Sequence, residues 1–333
     1  MTKSSAYLAS VSVALGLLCA PATAKFITFQ PPGATVTTAV TAITNSGDVI
    51  GSFEDASGTV HGFLRAADGT FTTIDFPGAK GTYPTGMSHD GTIVGYYSVK
   101  ARTLNPQQGF IRTPDGQISA FHAPHANRFT NVVAITDTGW IVGQAYAAHD
   151  PYNSFGFLRD PSGHFTKFGQ QWLQVICANS ARTTAGTFRD QSGAPHGFVR
   201  TRNGKVTQVD PDDSVFTHVT AINDSGAVAG LWAATDFVRK GFVRAANGTI
   251  STFVANQDGE TLPWSMNKAG TIVGTYDING GVGGGFVRPP DGRITTFTVP
   301  GSFFTDPEAI NDKGQIAGQA TMNGGMMGFI GKP

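Results

Sequence analysis

The chain has 333 residues, of which 40% are hydrophobic and 14% are charged, and 23 Lys and Arg balance 23 Asp and Glu. A formal net charge of +0 without a basic run argues against a nucleic-acid-binding or anionic-membrane surface. The length exceeds the usual limit for a single core, so two domains or one repetitive domain are the alternatives.

The first 24 residues are typical of a secretory signal peptide. Lys3 precedes an apolar segment at residues 6–20, and residues 22–24 (Ala-Thr-Ala) form a small-x-small cleavage site. The apolar segment is too short for a membrane span, and no comparable segment follows it. We therefore expect residues 1–24 to be removed and the mature chain to be secreted or periplasmic, without a membrane span.

After this segment the chain repeats one unit. Each copy carries Gly-x-(Ile/Val)-x-Gly, degenerate in the fourth copy, and downstream of it Gly-Phe-(Leu/Ile/Val), followed by Arg in all but the last copy. The Gly-Phe glycines lie 41 to 47 residues apart, at Gly62, Gly109, Gly156, Gly197, Gly241, Gly285 and Gly328. A unit of this length cannot bury its own apolar face, so the copies must pack against one another.

Each unit predicts four short strands, which we label A to D. Strand A lies around Ala-Ile, B around Val-x-Gly, C at Gly-Phe, and D after an Asp-Gly, Asn-Gly or Ser-Gly turn. No stretch has a helical period, and 43 Gly with 18 Pro favour an all-β chain. We predict a single domain over residues 25–333, a seven-bladed β-propeller of four-stranded blades.

The two ends of the chain complement each other. The seventh unit stops after strand C, at residues 328–333, and lacks a strand D. Residues 26–34 (Phe-Ile-Thr-Phe-Gln-Pro-Pro-Gly-Ala) match residues 71–79, which are a strand D and its exit loop. We expect the N-terminal strand to complete the last blade and to close the ring, because an open seam would expose unpaired backbone groups.

The combined signatures Ala-Ile-Asn-x-x-Gly-x-Ile-x-Gly and His-Gly-Phe-Leu-Arg resemble the HAF-type extracellular repeat family of bacteria. Here Gly-Phe stands where that family often has Ala-Phe. The resemblance covers nearly all of residues 26–330 and implies secretion and a propeller-like fold. It transfers no catalytic residue, because the family signature is structural. We expect no cofactor, no metal ion and a monomer.

Repeated polar residues are interpreted as structural. An Arg that ends strand C can satisfy carbonyl groups and stack between blades. This series is Arg65, Arg112, Arg159, Arg200, Arg244 and Arg288. The A–B turn has its own polar series, which we expect to bond local backbone: Thr44, Ser88, Thr136, Asn179, Asn223, Asn267 and Asn311.

Functional candidates lie where the register is kept but the residue varies. The residue after the Thr that starts strand A is such a position, and in an innermost strand it rings one mouth of the channel. That mouth also carries the D–A and B–C loops, which commonly hold binding groups. The predicted ligand-binding residues are Tyr83, Asn131, His218, Asp306 and, on a loop, His125.

Other loop groups are weaker candidates. The acidic run at residues 210–213 matches no calcium-loop consensus and is read as a solvated turn. The remaining polar groups of these loops are His122, Arg128, His149, Asp150 and Tyr152.

Two functions remain open on the sequence. The first is a secreted, non-enzymatic module that presents one polar loop face to a glycan or an extracellular protein. The alternative is a carbohydrate-active enzyme, a polysaccharide lyase or glycoside hydrolase, with His218, Asp306 and Tyr83 as base, acid and orienting group. A pocket holding two titratable groups within hydrogen-bond reach would favour the enzyme.

Overall fold

The structure is a computed structural model that describes residues 25–35, 37–99, 107–147, 154–169, 172–257, 259–278, 281–322 and 324–333. Its regular secondary structure in these ranges is β-strand, which confirms the predicted all-β class. The described ranges contain no helix of the length and apolarity that crossing a membrane requires. The predicted signal peptide, residues 1–24, lies outside the described residues.

The described residues form 28 strands, which begin with β1 (Lys25–Phe29) and continue in groups of four. The next eight strands are β2 (Thr38–Ile43), β3 (Val49–Glu54), β4 (Val60–Arg65), β5 (Phe71–Ile74), β6 (Gly81–Met87), β7 (Ile93–Ser98), β8 (Gln107–Arg112) and β9 (Ile118–Phe121). They are followed by β10 (Ala126–Ile135), β11 (Ile141–Ala147), β12 (Ser154–Arg159), β13 (Phe165–Phe168), β14 (Gln174–Ala178), β15 (Thr184–Arg189), β16 (Pro195–Arg200) and β17 (Val206–Val209). The last are β18 (Phe216–Ile222), β19 (Val228–Ala233), β20 (Lys240–Arg244), β21 (Ile250–Phe253), β22 (Thr261–Met266), β23 (Ile272–Ile278), β24 (Gly281–Arg288), β25 (Thr295–Phe297), β26 (Phe304–Ile310), β27 (Ile316–Met322) and β28 (Gly325–Lys332).

The strands pair as antiparallel meanders in the predicted order A-B-C-D. Four of the sheets have four strands each, for example β18-β19-β20-β21. A fifth sheet has twelve strands, which was not predicted. It arises because single parallel bridges, Val60 to Gly81 and Phe129 to Gln107, join three meanders that are otherwise separate.

The N-terminal strand completes the last meander, as predicted. β1 pairs with β28 in antiparallel register from Lys25 opposite Lys332 to Phe29 opposite Gly328. Phe26 stacks on Phe297 of β25 with ring centroids 5.3 Å apart, while Phe29 meets Phe63 of β4 edge to face at 6.1 Å. The first five described residues therefore connect the beginning of the repeat array to its end.

The core lies between neighbouring repeats. The phenylalanine of every Gly-Phe motif is at most 1% exposed. One cluster joins Ala221 and Ala229 of one repeat to Met266, Ile272 and Phe286 of the next. The expectation that the copies bury one another's apolar faces is confirmed.

A glycine in strand B sets how closely strand A approaches it. Strand A carries a β-bulge in each repeat, such as the register shift between Val219 and Ala221. A Cβ on Gly230 would lie 2.2 Å from the His218 carbonyl oxygen and 2.7 Å from the Phe242 ring. Only glycine fits beneath the bulge, which explains the second glycine of the Gly-x-(Ile/Val)-x-Gly motif.

The repeated arginines contact the preceding repeat, as the structural interpretation requires. The guanidinium of Arg200 lies 4.5 Å from the ring centroid of Phe168, and that of Arg288 lies 4.7 Å from the ring of Phe253. Both rings belong to strand D of the repeat before. These cation–π contacts fix adjacent meanders to each other.

We expect Phe29→Ala to lower the free energy of unfolding by about 3–5 kcal/mol, because it removes a buried ring that joins β1 to the first repeat. Ile27→Ala on the same strand serves as the control, since Ile27 is 51% exposed. A denaturant titration measures both. Equal losses in the two variants would contradict the role assigned to β1.

We expect Gly230→Ala to cost about 3 kcal/mol or more, because the overlap is with backbone that cannot move without shifting strand A. Gly226→Ala should cost only about 1 kcal/mol. Gly226 has a φ of 83° but nothing within 4 Å of the added Cβ. Comparison of the two variants separates steric overlap from backbone strain. A larger loss of unfolding free energy for Gly226→Ala than for Gly230→Ala in a denaturant titration would overturn the explanation by steric overlap.

Candidate functional site

The two ends of the meanders differ in character. We call the surface formed by the D–A and B–C loops the upper face, and the surface formed by the A–B and C–D turns the lower face. Nine large apolar side chains are exposed among the described residues, and two of them, Ile27 and Val206, lie on D strands. The other seven lie on the upper face: Val99, Trp172, Val215, Phe237, Val238, Ile278 and Phe303.

The A strands surround a central cavity of about 280 Å³. Its walls come from the A–B turns of all the repeats, including Thr44, Asn179 and Asn311. The expectation that strand A is innermost is thereby confirmed. The cavity lies toward the lower face, opposite the mouth at which the ligand-binding residues were predicted.

The polar groups around this lower rim bond one another. Asn311 Oδ1 accepts a local bond from the Gln315 amide at 2.9 Å, as predicted for the A–B turn series. Its Nδ2 also donates to the Thr44 carbonyl of the neighbouring repeat at 2.8 Å, a bond that the sequence did not reveal. Asn267 Nδ2 donates in the same way to the Asn311 carbonyl at 3.1 Å. The rim is thus a structural belt with its hydrogen-bonding capacity largely used.

The predicted site residues on strand A lie at the upper end of that strand. Each faces a strand-B residue of its own repeat across the sheet. The pairs are Tyr83 with Tyr96, Asn131 with Gln144, His218 with Leu231, and Asp306 with Gln319.

Tyr83 and His218 are each held by a neighbouring side chain. The Tyr83 ring stacks on Tyr96 with centroids 4.9 Å apart, and burial, followed by the charge of Glu54, raises the pKa of Tyr83. His218 Nδ1 lies 2.9 Å from Thr187 Oγ1 of the preceding repeat. Burial lowers the pKa of His218, so its imidazole is neutral at neutral pH.

Asp306 forms a carboxyl pair with Glu308. The two residues are two positions apart on β26, and their carboxyl groups are hydrogen-bonded to each other. Burial, and then the negative charge of Asp306, raise the pKa of Glu308 to about 8. Burial and the charge of Asp306 therefore favour the protonated form of Glu308.

Side chains from two repeats hold this pair, and a backbone amide of a third repeat fixes one of them. Gln319 Nε2 donates to Asp306 at 3.2 Å and to Glu308 at 2.8 Å. Its Oε1 accepts the Val40 amide of the first repeat at 3.0 Å. From the sixth repeat, Thr275 Oγ1 donates to Asp306 at 2.8 Å and in turn accepts Trp264 Nε1 at 2.7 Å.

The predicted set of base, acid and orienting group stays a prediction. No hydrogen bond in the described part of the chain links Tyr83, His218 and Asp306. The partner of Asp306 is Glu308, which the sequence analysis missed. The signal was available, because side chains two apart on a strand share a face, but only the residue after the Thr was considered.

The loop candidates are scattered over the upper face. His125 is exposed, with a φ of 66°, in the D–A turn at residues 123–126. His122 is also exposed there. The Arg128 side chain and the residues His149, Asp150 and Tyr152 lie outside what the structure describes.

Two histidines clamp upper-face loops. His61 Nδ1 lies 2.8 Å from Asp75 of a D–A loop, and its Nε2 lies 3.2 Å from Asp55 of a B–C loop. Although burial lowers the pKa of His61, its hydrogen bonds to Asp75 and Asp55 and their charges raise it overall. A protonated ring donates to both carboxylates, so the imidazolium holds the two loops together.

The fourth repeat contains the same clamp, and Asp210 of the acidic run is part of it. His196 Nδ1 lies 2.8 Å from Asp210, and Nε2 lies 3.5 Å from Asp190. Asp210 also accepts the Gly197 amide at 3.3 Å. Within the described residues no group of three or more His, Cys, Asp and Glu is arranged to bind a metal ion.

Several solved structures share this fold. One is a streptogramin B lyase, with a TM-score of 0.61 and 11% identity over 93% of this chain and 98% of that one. Virginiamycin B lyase from Staphylococcus aureus gives a TM-score of 0.58 and 13% identity over 93% and 100%. An acylaminoacyl peptidase from Pyrococcus horikoshii gives 0.60 and 8% over 85% and 49%.

These are β-propeller proteins, so the chain has a propeller-like fold. At such low identity the likeness concerns the fold alone. No protein-family model matches the chain. No curated protein matches it either.

We expect stability to fall as the pH rises from 4.5 to about 8, the window between the ordinary pKa of Glu308 and its value in the fold. Over that window the folded chain holds a proton that the unfolded chain has released. Glu308→Gln should remove this fall. Above pH 8 the free energy of unfolding of the variant should exceed that of the wild type by at least about 1 kcal/mol, the equivalent of one pKa unit.

Denaturant titrations between pH 4.5 and about 8 measure this fall in stability. Glu54→Gln is the control for the loss of a carboxyl group elsewhere in the chain. A Glu308→Gln profile parallel to the wild type would show that Glu308 is ionised in the fold.

Proposed function

We propose that the mature chain is a secreted, monomeric, seven-bladed β-propeller of the HAF-repeat type, and that its upper face binds a glycan or an extracellular protein. Counting one meander per repeat gives seven blades, with β1 as the outer strand of the last. Secretion rests on the signal-peptide pattern of residues 1–24. The repeat assignment rests on the motifs that the meanders carry.

The choice of the upper face as the binding surface rests on one observation. Seven exposed apolar side chains lie on the upper face, among them Trp172, Phe237 at 74% exposure and Phe303 at 61%. Exposed aromatic groups on loops above a rigid scaffold are typical of recognition surfaces. The lower face instead consists of short turns whose polar groups bond one another, which leaves them little capacity for a ligand.

A second candidate function is carbon-acid chemistry at the carboxyl pair, as in a polysaccharide lyase. The specific observation in its favour is that Asp306 and Glu308 lie two positions apart on strand A, where burial and the charge of Asp306 raise the pKa of Glu308. Glycosidases separate their two carboxyl groups by roughly 5 Å or more, whereas these two are in hydrogen-bond contact. The pair therefore suits proton abstraction by the Asp306 carboxylate better than two-carboxylate hydrolysis.

The face assignment is tested by blocking one face at a time. A single cysteine is introduced at Val238→Cys on the upper face or at Ala246→Cys on the lower face and is coupled to a polyethylene glycol maleimide. The native Cys177 should stay unmodified, because burial raises its pKa to about 12. Ligands are found by probing the mature chain with a glycan array and a panel of polysaccharides.

We expect the upper-face polymer to abolish binding of an array ligand and the lower-face polymer to leave it unchanged. The reverse result would refute the assignment. Digestion of a polysaccharide that is lost in Asp306→Asn and Glu308→Gln, with binding retained, would establish the lyase function instead.

A further inference from the structure

Two cavities meet on the upper face between the third and fourth repeats. One, of about 200 Å³, is lined by residues that include Gln144, Tyr146, Trp172 and Arg189. The other, of about 500 Å³, is lined by Trp172, Arg189 and the B–C loop at residues 190–193. Since they share Trp172 and Arg189, they form one depression, which we call the groove.

The fourth repeat anchors the start of strand A differently from most other repeats. In four repeats the Thr that starts strand A fixes the D–A loop by accepting a backbone amide from it, as Thr305 does from Val299 at 2.9 Å. The fourth repeat has Leu173 at this position, and its side chain cannot accept a hydrogen bond. The Leu173 carbonyl accepts a hydrogen bond from Ser154 Oγ of the third repeat at 2.7 Å. Both Ser154 and Leu173 line the smaller cavity, so the groove lies at this junction of two repeats.

A buried acceptor in the groove lacks a partner. Gln144 is 6% exposed, and its Oε1 accepts no hydrogen bond within the described part of the chain. Leaving a buried amide oxygen unsatisfied costs roughly 1–3 kcal/mol. A donor supplied by a ligand would remove that cost, and a sugar hydroxyl is such a donor.

The indole of Trp172 lines the same cavity as this acceptor. Trp172 is 45% exposed and has a φ of 61°, a backbone conformation that a bulky residue seldom adopts. Such conformations are retained mainly where the surroundings fix them, commonly at ligand sites. Tyr146 also lines the smaller cavity, and aromatic side chains are suited to contact the polarised C–H groups of a sugar ring.

The groove carries one guanidinium group, that of Arg189, beside the carboxylate of Asp190. Arg189 is the only basic residue among those three positions after the second glycine of strand B; the other repeats have Glu54, Ser98, Tyr146, Ala233, Asp277 and Thr321. Its Nη1 donates to the Gly193 carbonyl at 2.7 Å, and it forms no ion pair within the described residues. A guanidinium with only a neutral partner is suited to a carboxylate.

The neighbouring carboxylate does not cancel this charge. Asp190 Oδ1 accepts the Ser192 and Ala194 amides and the Ser192 hydroxyl, and Oδ2 faces His196. The Asp210 carboxylate faces the other nitrogen of the same imidazole. Both acidic groups are therefore occupied within the loops, and Arg189 remains to meet a ligand.

We propose that the groove binds one uronate unit of an acidic glycan. The ring packs on Trp172, the carboxylate bonds Arg189, and a hydroxyl donates to Gln144 Oε1. The smaller cavity is below the roughly 300–1,000 Å³ of pockets for drug-sized ligands, so it fits a single ring. This inference rests on the proposed function, since it names the ligand class and the place on the upper face.

The test is a titration of the mature chain with tetragalacturonate, measured by isothermal titration calorimetry. Maltotetraose is the neutral control of equal length, and tetraglutamate is the acidic peptide control. We expect tetragalacturonate alone to bind, with an affinity that falls as salt is added, because the contact between Arg189 and the carboxylate is screened.

Variants locate the contact. We expect Trp172→Ala and Arg189→Gln to weaken binding by at least about tenfold, and Trp172→Phe, which keeps a ring, to weaken it less. Val206→Ala and Arg202→Gln remove an exposed apolar group and a positive charge away from the groove, and they should leave the affinity unchanged. Thermal unfolding of each variant verifies that it is folded.

The inference is overturned if no tetragalacturonate binds, if maltotetraose or tetraglutamate binds as tightly, or if the Trp172 and Arg189 variants bind normally. If the upper-face polymer blocks binding of an array ligand but Trp172→Ala does not affect that binding, the proposed function stands and only the groove proposal is refuted. If the lower-face polymer blocks the binding, both proposals are refuted.

Discussion

The burial of each Gly-Phe phenylalanine against the preceding repeat is the constraint on which the rest of the structure depends. Phe286 is covered by Ala221 and Ala229 of the repeat before it, and no repeat has enough apolar residues to cover its own. The first repeat has no predecessor in the chain. Phe63 is covered by Phe29 of β1 and by Ala317 and Ile330 of the last repeat, so the two ends of the array must meet.

The same constraint separates the positions that must be kept from those that can vary. The strand-B glycine admits the bulge of strand A, and the bulge brings that strand to the inside. The core then depends on glycine, phenylalanine and the Thr that starts strand A. The residue after the Thr varies between repeats, and where it is His218 or Asp306 it bonds a threonine of the preceding repeat.

Periodic features were predictable from the sequence, and contacts between repeats were not. The motif spacing predicted the four-stranded meanders, and the match between residues 26–34 and 71–79 predicted the pairing of β1 with β28. Motif spacing locates strands along the chain, but it does not show which side chains of adjacent repeats meet. The partnership of Asp306 with Thr275 and Gln319 could therefore not be predicted, although Glu308 could have been found from strand alternation. The groove was also missed, because the sequence analysis did not connect Leu173 with the anchoring of a loop.

Hydrogen-bond satisfaction distinguishes the three polar regions of the molecule. At the lower rim Asn267 and Asn311 bond the next repeat, so a ligand there would have to displace protein contacts. At the carboxyl pair the oxygens are also occupied, by Gln319 and Thr275. In the groove an acceptor and a guanidinium lack charged or donating partners within the described residues. Unrepeated polar groups of this kind, rather than the repeated ones, are where a ligand can add hydrogen bonds without displacing protein contacts.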